Sequence, residues 1–148
     1  MDAHSHSHCR FYNLVPEFSI EELAAFHGHL GPYIVLGYRI GKYVRENFCG
    51  DPFQMKAEIH CAGKPPESCL ADGVQLGSGC TLGKGNIEIV PSGEVRCVFV
   101  ANGKKMVVTP RPFPLPRRDM DYEAAIEAVA EEMYSLPAEK LFSFSIQP

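Results

Sequence analysis

The chain has 148 residues, a formal net charge of -4, 45% hydrophobic residues and 22% charged residues. That balance belongs to a soluble globular protein, and the length suits one domain that buries a real core without staples. The charge argues against general nucleic-acid affinity, which needs a basic surface, and no apolar run approaches the roughly 20 residues that cross a bilayer.

Residues 1–17 read as a tail and lead-in, and residues 18–148 as a single domain. The tail alternates His4, His6 and His8 and ends in Cys9, a pattern that binds metals opportunistically. Ser19 and Glu22 form a capping box ahead of Ile20, Leu23, Ala24 and Phe26, which predicts a first helix ending near His27-Gly28. Gly31-Pro32 starts a second helix that runs to about Phe48. Gly37 and Gly41 lie on one face of it, at a cost of about 1 kcal/mol each relative to Ala. Close packing within the chain and packing against a second copy are equal explanations.

Met55 to Ala62 alternates as a strand, and Pro65-Pro66 opens a short helix from Glu67 to Leu76 that Gly77-Ser78-Gly79 ends. Asn86–Val90, Glu94–Ala101 and Lys104–Thr109 read as three antiparallel strands, the last two joined at Asn102-Gly103. Prolines alternate from Pro110 to Pro116 in an extended strap. Asp121 to Tyr134 is an acidic amphipathic helix, and residues 138–146 add a helical turn and an edge strand. The expected fold class is α+β, an antiparallel β-sheet packed against helices. Charge divides unevenly: Arg96 to Arg118 holds six basic residues and no acidic ones. That is either a solvated edge or a patch for an anionic ligand.

The six cysteines are Cys9, Cys49, Cys61, Cys69, Cys80 and Cys97. Met1-Asp2-Ala3-His4 shows neither the basic nor the apolar region of a signal peptide, so the expected compartment is the reducing cytoplasm and the cysteines are thiols. His27 and His29 would point about 200° apart on a continuous helix, but a helix ending at Gly28 lets the rings converge, on a metal or in a capping role. Cys69 and Asp72 share one helical face, with Cys69 near the helix start, where the dipole favours a thiolate. A buried small hydrophobe beside an exposed Asp is the plain alternative. Cys80 follows a Gly-Ser-Gly turn, and His60 and Cys61 lie on opposite strand faces, so at most one of them faces any site. Lys84, at the tip of Gly83-Lys84-Gly85, is a candidate for an anionic ligand, although the segment is not a Walker loop.

Two segments together are specific. Phe26-His27-Gly28-His29-Leu30-Gly31-Pro32 through Gly41, and Cys69 through Asn86, resemble the motifs of the FmdE family, which is named for formylmethanofuran dehydrogenase. The resemblance covers about residues 18–135 and implies an α+β core domain, an intimately packed homodimer and a metal-containing cleft. It implies His27, His29, Cys69 and Cys80 as metal ligands, with Asp72, Gln75 and Lys84 beside them. Cys69, Asp72 and Lys84 are then the catalytic candidates, and the cofactor is a divalent transition metal, Zn first. Many relatives read HGHxCPG, whereas Gly31 precedes Pro32 here, and these residues hold no C-terminal Cys-rich zinc finger.

The resulting expectation is a metal-binding protein accessory to molybdenum or tungsten formylmethanofuran dehydrogenase chemistry in one-carbon metabolism, or one with a small metal-dependent activity of its own. A thiol enzyme or sulfur carrier using Cys69, and a purely structural assembly protein, are the alternatives. The polypeptides of a molybdo- or tungsto-enzyme are the expected partners, with no nucleic acid and no membrane.

Overall fold

The structure is a computed structural model that describes residues 9–12 and 14–148. The His4, His6 and His8 tract lies outside the described residues. Helix α1 (Ile20–His27) begins at the capping box. The Glu22 N–H donates to Ser19 Oγ at 3.1 Å and the Ser19 N–H to Glu22 Oε1 at 2.8 Å. Both satisfy donors that the first turn leaves without a partner. Gly28 ends the helix at φ 102°, a left-handed conformation that glycine takes without a side-chain clash.

Helix α2 (Pro32–Asn47) follows with proline in its first turn and is buried along most of its length. Strand β1 (Met55–Cys61) alternates as expected, with Met55, Ala57, Ile59 and Cys61 facing the core. Helix α3 (Cys69–Ser78) starts two residues later than the sequence suggests, because a turn ties the Ser68 N–H to the Lys64 carbonyl. Strands β2 (Ile87–Pro91), β3 (Arg96–Ala101) and β4 (Lys104–Pro110) come next. The proline strap leads to α4 (Tyr122–Ser135), the short α5 (Ala138–Leu141) and β5 (Phe142–Gln147).

The five strands run in the order β2-β1-β3-β4-β5. Strand β2 is the correction to the sequence reading: it is not antiparallel to β3 but parallel to β1, with Ala57 opposite Ile87 and Cys61 opposite Pro91. The reason is α3. A helix between two strands carries the chain back to the start of the sheet, and the second strand then pairs parallel to the first. The Pro91-Ser92-Gly93 joint carries the chain past β1, and β3 pairs antiparallel on the other side. The Asn102-Gly103 hairpin stands as read, both residues at positive φ. The fold is α+β with a mostly antiparallel sheet.

The closest packing is between α2 and α3. A Cβ at Gly37 would overlap the Leu70 carbonyl, and one at Gly73 the Ile34 carbonyl. A Cβ at Gly41 would meet the Ser78 nitrogen at 2.7 Å, and one at Gly77 the Lys42 nitrogen at 2.6 Å. Four glycines, two on each helix, let the backbones touch. The Gly37/Gly41 face is therefore used within the chain, which offsets its propensity cost. Helix α4 packs on α2, where Arg39 Nη1 donates to the Met133 and Tyr134 carbonyls, both at 2.9 Å. Among the described residues no helix is long and apolar enough to cross a membrane.

Candidate metal centre

Three elements bring the chemistry together. His27 is the last residue of α1, His29 follows the Gly28 turn, and Cys69 and Asp72 lie on the first turn of α3. Because the helix stops at Gly28, the two imidazoles converge, with ring centroids 5.2 Å apart and tilted by 43°. His27 Nδ1 lies 2.7 Å from Asp72 Oδ2. A carboxylate accepts, so Nδ1 is the donor of this contact, and in the neutral ring Nε2 then keeps a free lone pair. That is the arrangement by which a carboxylate fixes a metal-binding histidine. The His27 side chain is 11% exposed and Asp72 40%.

His27, His29 and Cys69 line one cavity of about 370 Å³, whose walls include Pro32, Ile34 and Ile126. Gly31 lines it too, and a Cβ there would sit 3.1 Å from His29 Cε1. Residue 31 thus adjoins the same imidazole. Two imidazoles and a thiol suit a divalent transition ion of the Zn type. Among the described residues, no three or more His, Cys, Asp or Glu side chains are already drawn together as a metal cage. The donors share a cavity rather than a finished coordination sphere.

The helix start does not make Cys69 a thiolate. Burial pushes its thiol above the ordinary range, and the Asp72 charge adds to that. An ion would have to displace this proton, as metals do from thiols.

Cys80 and Lys84 are elsewhere. Cys69 opens α3 and Cys80 follows its end, and ten residues of helix rise about 15 Å. The Cys80 thiol is fully buried against the Met55 carbonyl at 3.7 Å, and burial raises it despite the partly opposing effects of Ser78, Lys84 and Arg45. Lys84 Nζ donates to Thr81 Oγ1 at 3.0 Å and lies 5.4 Å from the Phe53 ring centre. Neither residue lines the cavity. Gln75 Oε1 accepts the Leu82 N–H at 2.8 Å, and Asn86 bonds Thr81, Pro52 and Met55. The second half of the long motif therefore builds the loop after α3. His60 pairs with Glu58 at 3.0 Å on the far sheet face, and Cys61 is in the core.

Sequence reasoning missed the opposite wall. Leu115, Pro116 and Arg118 of the strap and Tyr122 of α4 line the cavity. The prolines mark a strap, but nothing local says where it lies.

Fold and cavity together define an α+β domain with imidazole and thiol donors gathered at the ends of two helices. The chain belongs to the family described as FmdE, molybdenum formylmethanofuran dehydrogenase operon, which matches residues 26–143. It is also 34% identical over 71 residues to a probable S-adenosyl-L-methionine-binding protein of Archaeoglobus fulgidus. That stretch is 47% of this chain, and the chain spans 19% of the length of that relative.

Proposed function

We propose that this chain is a metal-binding FmdE-type protein that holds a divalent transition ion, Zn first, on His27, His29 and Cys69. The observation that carries the reading is the 2.7 Å contact of His27 Nδ1 with Asp72 Oδ2, which leaves Nε2 as the free donor of a side chain that lines the cavity. Cys80, buried at the other end of α3, is left out of the set. Three protein donors leave a fourth position for a small ligand, as in catalytic rather than structural zinc sites. When bound, the ion would supply Lewis acidity there. The family description supports a role accessory to formylmethanofuran dehydrogenase chemistry. Beyond that description, we propose the polypeptides of a molybdo- or tungsto-enzyme as partners, the cytoplasm as compartment and a homodimer as the assembly.

Elemental analysis tests the site, on protein whose tail residues His4, His6 and His8 are replaced by Ser to remove adventitious binding. The parent is expected to hold about one ion per chain. His27→Ala and Cys69→Ser should lose most of it, and Cys80→Ser should keep it. Full retention in both of the first two variants would sink the proposal. A Cys69 nucleophile has less support, because burial and Asp72 hold the thiol protonated.

A further inference from the structure

A second cavity, of about 460 Å³, lies where β3 begins and β4 ends. Tyr33 lines both this groove and the donor cavity. Its ring packs edge-on against Phe113 of the strap, with centroids 5.3 Å apart. Burial, with the charge of Glu67, raises its hydroxyl above the ordinary range, so it stays a proton donor.

The groove carries two guanidinium groups. Arg96 opens β3 opposite His60, Cys97 pairs with Val108, and Arg111 follows the end of β4, so both arginines lie at the same end of the sheet. Arg111 Nε donates to the Glu139 carbonyl at 2.7 Å, which fixes the side chain and leaves its terminal nitrogens for a ligand. Neither guanidinium has a carboxylate within ion-pair distance among the described residues. Glu94 also lines the groove, against the two arginines. These arginines belong to the basic run from Arg96 to Arg118, which the metal reading leaves unused.

We infer that the ligand of this protein is an elongated molecule with an oxyanion tail, its tail held between Arg96 and Arg111 and its apolar body passing Tyr33 into the donor cavity. The forked guanidinium suits phosphate or carboxylate oxygens. Part of the wall of the donor cavity, Pro32, Ile34, Leu115 and Ile126, suits an apolar body, with Arg118 and Glu123 also on the lining. The placement of the reacting end rests on the metal reading, and the grip on the tail does not.

Titration of the full chain with inorganic phosphate, hexyl phosphate and hexanoate, followed by calorimetry and by NMR of the histidine and arginine side chains, tests this. A hexyl oxyanion should bind more tightly than inorganic phosphate and shift His29 as well as Arg96, whereas inorganic phosphate should shift Arg96 alone. Arg96→Ala and Arg111→Ala should each weaken all binding about tenfold. Lys104→Ala should not, because general attraction to basic surface is not the cause. The parent stripped of metal by a chelator should bind inorganic phosphate as the metal-loaded parent does, so loss of the metal site leaves the grip on the tail standing. No binding of any probe in the millimolar range, equal loss in Lys104→Ala, or hexyl probes that never shift His29 would overturn the inference.

Discussion

His27 owes its tautomer to one carboxylate, and Cys69 owes its proton partly to the same one. Asp72 therefore pulls in two directions: it makes His27 a better ligand and Cys69 a poorer thiolate. Asp72→Asn should weaken zinc binding by about 10- to 100-fold, the usual cost of losing a carboxylate behind a ligand histidine. In metal-free protein it should also speed alkylation of Cys69 at neutral pH, since a like charge no longer opposes the thiolate. The signs follow from the direction of the Cys69 shift. A raised thiol is protonated at pH 7, so alkylation by iodoacetamide should be slower than for an exposed cysteine and should climb as pH rises through the alkaline range. Zinc competition and mass spectrometry of the alkylated chain read the two effects. If neither rate nor affinity moves in the variant, Asp72 is a bystander.

Among the elements, the α2–α3 contact holds the site in register. Cys69 and Asp72 ride on the first turn of α3, and His27 and His29 lead into α2. The glycine interlock fixes one helix against the other, so the His27–Asp72 contact depends on glycines that touch no donor. Gly73→Ala would drive a Cβ into the Ile34 carbonyl and the Tyr38 nitrogen. Backbone cannot yield as a side-chain tip can, so the cost should reach at least the 1–3 kcal/mol typical of overpacking. Thermal unfolding should shift down by about 4 °C or more. Gly83→Ala is the control, because a Cβ there has nothing within 4 Å. Equal melting temperatures for the two variants would mean that the helices are not locked.

At the scale of the whole molecule, the core sets the response to pH. Cys97 is fully buried in β3, and its thiol is pushed up to about 12 by burial and then by neighbouring Cys61. An ordinary thiol titrates near 8.5 in the unfolded chain. Between those values the unfolded state releases a proton that the folded state keeps, so stability falls as pH rises. The loss should be absent below about pH 8 and should grow up to about pH 12. Cys97→Ala should flatten that alkaline slope, even though removing the sulfur lowers stability at pH 7. Denaturant melts at pH 7, 9 and 11 measure it, and a slope unchanged in the variant would assign it to other groups.

What the sequence determined by itself is local. The Ser19–Glu22 box, the Gly28 stop, the Pro32 start and the Asn102-Gly103 turn each depend on contacts within a few residues, and each element they bound was legible. The convergence of His27 and His29 followed from the same Gly28 stop. Tertiary structure decided the rest. It set β2 parallel to β1, separated Cys80 and Lys84 from the cavity by the length of α3, and brought Leu115, Arg118 and Tyr122 to the far wall. Motif proximity does not measure distance in space when a helix intervenes. A strap without its own hydrogen-bond ladder has no local preference for one surface over another. Such placements come from packing between segments far apart in the chain, and backbone contact between glycines of α2 and α3 is the physical cause that positions this site.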